Sequence, residues 1–130
     1  MSDGPRLFSI LRQRPYLIAS IHTALDDTQL TRFKEDLVLR IGTDRARGVV
    51  IDVAALDVLD SYASRTLRDI GEIARLRGAA MVVVGIQPEV ALAMVRLGMD
   101  TGAVVTALDL EEGIATLDRA LAIPVAGRPG

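Results

Sequence analysis

The run Asp60-Ser61-Tyr62 places a small hydroxyl between an acid and an aromatic ring, where a connector leads into an amphipathic helix. Ser61 could serve simply as the helix N-cap, a role worth about 0.5–2 kcal/mol. It could also accept a phosphoryl group, because ligands and partners usually meet α/β sheets at the carboxyl ends of their strands. A phosphate would add about −1.5 to −2 charges, and Asp57 and Asp60 would repel them. This arrangement predicts a change in partner binding without refolding of the domain.

Catalytic chemistry has little support in the sequence. It contains no Gly-x-Gly-x-x-Gly after a strand, no P-loop and no Gly-x-Ser-x-Gly nucleophile elbow. Ser61 has no evident base, since the single imidazole belongs to His22, which we interpret as a structural or surface residue. The absence of cysteine removes thiolate chemistry, disulfides and cysteine-based zinc sites. We therefore expect no enzymatic activity, no cofactor and no metal ion.

The acids Asp26, Asp27 and Asp52 raise the alternative of a response-regulator receiver. Such a domain uses an acidic pair, a phosphoacceptor aspartate and a lysine after its fifth strand. The single lysine, Lys34, lies in the predicted first helix, so an aspartyl phosphate would lack a matched cation. We interpret these acids, together with Asp57, as helix caps, strand ends and solubilising groups.

The elements that position Ser61 follow from the apolar pattern. Of the 130 residues, 50% are hydrophobic and 3% aromatic, which suits aliphatic parallel strands covered on both faces. The periodicity predicts the order ββαβαβαβα, hence an α/β fold with a mostly parallel sheet of four to five strands, an N-terminal antiparallel hairpin and about four helices. The predicted strands are 7–11, 16–21, 48–53, 80–85 and 104–106, and the helices start near 28, 61, 88 and 109.

Helix faces and ends are predicted from spacing. Gly42 should lie just past the end of the first helix, as a C-cap glycine. The third helix, 88–97, is apolar nearly all round, so either neighbouring elements or another protein cover it. The expected inward residues are Leu30, Phe33, Leu37 and Ile41 in the first helix, Ala63, Leu67, Ile70 and Ala74 in the second, with Ile73 and Leu76 widening that stripe, and Leu110, Ile114, Leu117 and Leu121 in the fourth.

Length and charge set further limits. We predict one domain over residues 1–123 and a flexible tail over 124–130. The net charge of −2 gives no electrostatic case for nucleic acid. The N-terminus lacks the blocks of a signal peptide, and no apolar run reaches the length of a membrane span. We therefore expect a cytoplasmic protein that contacts no membrane.

Several segments together resemble the STAS domain, the fold of anti-sigma-factor antagonists, and more narrowly its small stressosome members of the RsbS type. The resemblance covers about residues 7–121. Its most specific parts are Gly-Ile-Gln-Pro at 85–88 and Thr-Ala-Leu-Asp-Leu at 106–110, and weaker parts lie at 20–27, 33–37, 48–52, 60–61 and 97–98. Tyr62 and Ala63 follow Asp60-Ser61 where the commoner antagonists have Ser or Thr and then Gly, which favours the RsbS type.

The resemblance implies a stressosome scaffold that assembles with itself and with a STAS-containing sensory paralogue. It would hold a switch serine/threonine kinase, release it when that kinase phosphorylates Ser61, and be reset by a phosphatase, thereby controlling a general stress response. The alternative is a stand-alone antagonist acting by partner exchange, and a third possibility is a small-molecule or nucleotide-binding module with a pocket near Gln87 and Pro88. The expected partner-binding residues are Asp60, Ser61, Tyr62, Arg65, Gln87 and Pro88.

Overall fold

A computed structural model describes residues 6–98 and 104–121 of the chain. Within these ranges the predicted order ββαβαβαβα is confirmed, whereas the predicted tail 124–130 lies outside them. The elements are β1 (Phe8–Gln13), β2 (Tyr16–Ile21), α1 (Asp27–Thr43), β3 (Gly48–Asp52), α2 (Ser61–Leu76), β4 (Ala80–Val84), α3 (Pro88–Arg96), β5 (Val105–Ala107) and α4 (Leu110–Ala120).

The strands form one five-stranded sheet in the order β1-β2-β3-β4-β5. β1 pairs antiparallel with β2, and every later neighbour pairs parallel. The register aligns Ser20 with Asp52 and Asp52 with Val84. The carboxyl ends of β2, β3 and β4 therefore lie level at one edge of the sheet, and the connections that lead into α2 and α3 begin side by side.

Both faces of the sheet are covered by helices. One face packs Leu17, Val49, Ile51 and Val83 against α1, α2 and α3, in the larger of two clusters of buried residues. The other face packs Ile18, Val50, Val82 and Val84 against Leu117 of α4. Since successive side chains of a strand point to opposite faces, β3 and β4 are buried on both sides. This explains why they are apolar runs without alternation.

A polar contact lies beside the second cluster. The Tyr16 hydroxyl donates a hydrogen bond to the Asp118 carboxylate of α4. Burial raises the pKa of Tyr16 above its usual range, and the hydrogen bond to Asp118 raises it further. The phenol therefore stays protonated at neutral pH, as a donor that ties α4 to the start of β2.

The predicted helix faces are partly confirmed. Every expected inward residue of α1 is buried, as are Leu67, Ile70 and Ala74 of α2. Leu76 was wrongly assigned to the stripe: it is 80% exposed, because it lies about two and a half turns beyond Leu67 and on the opposite side of the helix. In α4, Leu110 is also exposed and Leu117 supplies the buried contact.

Two glycine predictions had different outcomes. The prediction that Gly42 lies just past the end of α1 is wrong, because the helix continues to Thr43 and Asp44 is its C-cap. Gly98 does lie just past α3, at a φ of +62°.

Among the described residues, no helix has the length and apolar character needed to cross a membrane.

Gly85 allows the chain to turn sharply after β4. Its φ is +79°, a conformation that costs little only for glycine. A Cβ at this position would lie 2.9 Å from the Cβ of Ala54 and 3.1 Å from its backbone nitrogen. The β3–α2 connection and the β4–α3 turn are therefore in direct backbone contact at this point.

We expect Gly85→Ala to lower the free energy of unfolding by about 2–4 kcal/mol, since it combines a strained backbone with a steric clash. Gly78→Ala is the matched control, because Gly78 has the same φ of +79° and open space around its Cβ position. It should cost about 1–2 kcal/mol. Urea unfolding measures both losses, and equal losses would contradict the close contact at Gly85.

Candidate functional site

The start of α2 is capped by Asp60. Its backbone is extended, and its carboxylate accepts a hydrogen bond of 2.8 Å from the amide of Ala63. An N-cap role for Ser61 is therefore excluded, since Ser61 is the first residue inside the helix. Asp60 performs the structural task that the sequence also allowed for the serine.

The hydroxyl of Ser61 differs from the other two hydroxyls in the first turns of α2. Ser64 is 7% exposed and donates to the carbonyl oxygen of Asp60 at 3.0 Å. Thr66 is 4% exposed and donates to the carbonyl oxygen of Tyr62 at 2.8 Å. Ser61 is exposed and makes no side-chain hydrogen bond with any described residue. Of the three hydroxyls, only that of Ser61 is accessible to an enzyme without opening the helix.

An apolar groove of about 500 Å³ begins at Ser61 and runs along α3. We call it the Ser61 groove; it is lined by Leu59, Asp60, Ser61, Glu89, Leu92, Ala93, Arg96 and Leu97. Val90 and Met94 face the core, whereas Leu92 is 51% exposed and Val95, just outside the groove, is 78% exposed. In this chain, no described element covers the outer side of α3, so an apolar surface lies directly beside the serine.

A smaller and more polar cleft of about 130 Å³ opens on the other side of Ser61. We call it the arginine cleft; its lining residues are Ser61, Ser64, Arg65, Arg68, Leu97 and Gly98. The three residues Ser61, Arg65 and Arg68 follow one another at helical spacing and so share one face of α2. Neither arginine forms an ion pair with a carboxylate of the described residues.

The connection before α2 is held by the turn before α3. The Gln87 side chain donates to the carbonyl oxygen of Ala54 at 2.7 Å. The Asp52 carboxylate accepts from the Ala54 amide at 2.9 Å, and the Val53 amide donates to the carbonyl of Val84. We expected Gln87 to contact a partner, but its side-chain amide is hydrogen-bonded within the chain. Asp52 stabilises the turn that follows β3.

The structure separates the remaining predicted partner residues. Pro88 is exposed at the first position of α3, as predicted. Tyr62 is half-buried and points to α1, where its hydroxyl shares a hydrogen bond of 2.7 Å with that of Thr31. Asp60, Ser61 and Arg65 are therefore gathered at the two clefts, while Tyr62 and Gln87 support the elements around them.

Sequence reasoning missed the contributions of Leu92, Leu97 and Arg68. The spacing of Arg68 from Ser61 could have indicated a shared helix face, and the apolar character of α3 could have indicated Leu92. Leu97 could not have been found from spacing, because its place beside Ser61 depends on how α3 packs against the sheet.

Two acids of the receiver alternative, Asp26 and Asp52, have structural roles. Asp26 caps α1 in a reciprocal pair with Gln29, with hydrogen bonds of 2.8 and 2.9 Å.

His22 is exposed, and its ring lies within 3.1 Å of the Ser9 hydroxyl. Within residues 6–98 and 104–121, no group of three or more His, Cys, Asp or Glu side chains is placed to hold a metal ion.

Comparison of the chain with known proteins identifies its family. A model of the STAS domain matches residues 9–112. The chain belongs to the STAS-domain family. Within this family it is 33% identical over 92 residues to RsbRA of Bacillus subtilis (strain 168), the RsbT co-antagonist protein. That match covers 71% of this chain and 34% of RsbRA, so this STAS domain corresponds to about one third of that relative.

Solved STAS structures show which members of the family this chain resembles. RsbS of Moorella thermoacetica, with one serine replaced by glutamate, superposes with a TM-score of 0.79 at 34% identity, covering 89% of this chain and 98% of its own. A chain from the stressosome, described as a signal integration and transduction hub, gives 0.71 at 33% identity, covering 89% of this chain and 100% of its own. The assignment to the RsbS type is thereby confirmed. The antagonist SpoIIAA, with 14% identity and a TM-score of 0.66 over 89% of this chain and 99% of its own, shares the fold.

We expect Asp60→Ala to lower the free energy of unfolding by about 1 kcal/mol, because it removes the cap of α2. Asp57→Ala is the control, since Asp57 is an exposed acid in the same connection, and its loss should change stability by less than about 0.5 kcal/mol. Thermal and urea unfolding of both variants measure this difference. A cost for Asp57→Ala equal to that for Asp60→Ala would contradict the capping role.

Proposed function

We propose that this STAS protein is a non-catalytic stressosome scaffold that holds a switch serine/threonine kinase and releases it when Ser61 is phosphorylated. The observation that carries the proposal is the placement of Ser61: an exposed hydroxyl, relieved of capping by Asp60, at the meeting point of two clefts. The released kinase would then act on downstream partners in a general stress response.

The surface around Ser61 has the composition of a docking site. The centre of a protein interface is apolar and its rim is polar. Leu92, Leu97 and the neighbouring Val95 offer exposed apolar area, and Arg65 and Arg96 lie at its edges. A kinase bound across this surface would bring its active site close to Ser61, so the same contact that retains the kinase would present its substrate.

Phosphorylation would weaken this contact through charge and bulk. The phosphate brings about −1.5 to −2 charges to the end of the groove where a partner's apolar side chains would pack. Covering such a charged group with a partner's apolar side chains is costly. The core would not need to change, because Ser61 lies outside both clusters of buried residues.

The proposed partners follow from the relatives. RsbRA is the RsbT co-antagonist protein, and this chain matches about one third of its length. We propose that this chain assembles with copies of itself and with a longer STAS-containing sensory paralogue in the cytoplasm. A phosphatase would remove the phosphate and reset the complex.

The second candidate function is a stand-alone antagonist that exchanges one partner for another, which the shared fold of SpoIIAA favours. The same serine and groove would serve it, without a large assembly. A nucleotide-binding module has weaker support, because the amide of Gln87, near which a ligand pocket was expected, donates its hydrogen bond to the Ala54 carbonyl oxygen.

Incubation with the cognate kinase and ATP should add one phosphate, and peptide mapping by mass spectrometry should place it on Ser61. Ser61→Ala should abolish the modification. Ser64→Ala and Thr66→Ala should leave it intact, because those hydroxyls are buried and hydrogen-bonded. Phosphate found only on Ser64 or Thr66 would refute the site.

Ser61→Asp should weaken kinase capture at least tenfold, whereas Ser61→Ala and the uncharged Ser61→Asn should retain it. Asp and Asn have nearly the same shape, so this pair isolates charge from bulk. Size-exclusion chromatography with light scattering of the chain, paralogue and kinase gives both readouts. A kinase-bearing particle near a megadalton favours the scaffold and a small complex favours the stand-alone antagonist, while equal capture by Asp and Asn variants would refute a charge switch.

A further inference from the structure

We propose that Arg65 and Arg68 bind the phosphate on Ser61 within the same chain, so that the phosphate lies in the arginine cleft. The inference rests on the proposed phosphorylation of Ser61 and says what the phosphate contacts once it is there. The supporting observation is that the serine and both guanidinium groups line one cleft of about 130 Å³.

Helix geometry places both arginines within reach of the serine. Arg65 lies four residues after Ser61, about 6 Å along the helix axis, and Arg68 lies about 10 Å along it. Long helical side chains lean back toward the N-terminus, over the preceding turn. Both side chains therefore extend in the direction of Ser61, and a guanidinium offers a phosphate two parallel N–H donors.

The two arginines are available for this role. Elsewhere in the described residues, Arg40 pairs with Asp44 and Arg75 with Glu72, whereas Arg65 and Arg68 have no carboxylate within 4.0 Å among those residues. Arg65 is exposed and Arg68 is half-buried along the cleft. A phosphate would supply the anion that this pair of cations lacks.

The other charges that face Ser61 come from its own connection and from α3. Asp60 precedes it directly, Asp57 stands four residues before it and lines neither cleft, and Glu89 and Arg96 line the groove on the α3 side. Together with the arginine cleft, two carboxylates and three guanidinium groups surround the hydroxyl. The sequence-based expectation of repulsion counted only the acids, whereas the full surroundings attract a phosphate.

Binding of the phosphate by Arg65 and Arg68 gives phosphorylation a second effect on the partner. In the unmodified chain, Arg65 and Arg68 are open to a carboxylate of the bound partner. Once Ser61 carries a phosphate, the same two side chains are occupied within the chain, so the partner loses its ionic contacts to them. The phosphate then acts as an internal competitor for the partner's acidic group.

The test uses the full-length chain with phosphoserine incorporated at position 61 during translation, so no kinase is needed. A ³¹P NMR pH titration gives the second pKa of the phosphate, which is about 6 in the absence of partners. The double variant Arg65→Gln, Arg68→Gln should raise this pKa by about 0.5–1 relative to the unsubstituted phosphorylated chain. The charge-matched control Arg75→Gln, Arg77→Gln should leave it unchanged, since those residues lie at the far end of α2.

Equal pKa values in the cleft and control variants would overturn the contact, because the lowering would then come from the helix start or from net charge. Should the cleft variant fail to fold, the unsubstituted chain still decides the matter: the Arg65 Nε–H resonance should shift on phosphorylation and follow the phosphate titration, and an unchanged resonance would refute the proposal. A kinase that fails to modify Ser61 would count against the proposed function alone.

Discussion

The site depends on the backbone contact between the connection after β3 and the turn after β4. Gly85 adopts a φ that lets Ala54 approach to a distance at which a side chain would clash. The Gln87 amide then closes the contact with a hydrogen bond to the Ala54 carbonyl. Because this contact lies at the level ends of parallel strands, it sets the start of α2 beside α3, and the Ser61 groove is the space between them.

The hydrogen bonds at the start of α2 decide which hydroxyl of this helix remains exposed. The first backbone amides of a helix need acceptors from outside it, and Asp60 supplies one. Ser64 and Thr66 turn their hydroxyls back to carbonyls of the preceding turn, which satisfies them where they are buried. Ser61 is left with an exposed hydroxyl because its neighbours already meet the demands of the helix start.

The core and the site are separate parts of the molecule. β3 and β4 are covered on both faces, and the apolar side chains that stabilise the fold belong to two clusters that do not include Ser61, Arg65 or Leu92. Apolar burial contributes about 25 cal/mol per Å², so these clusters carry most of the stability. A charge added at the rim can therefore change what binds to the domain while its fold persists, as a reversible switch requires.

The sequence by itself determined the order of elements, the sheet type and the serine at the start of α2, because strand burial, helical spacing and chain connectivity are local or nearly local properties. It misassigned Leu76 and left the outer side of α3 open, since burial depends on which face the sheet meets. Only the tertiary structure decided that Asp60 caps the helix, that Gln87 is engaged within the chain and that Leu97 lies beside Ser61. Each of these outcomes rests on contacts between segments distant in the chain or on a choice between adjacent residues that spacing cannot make.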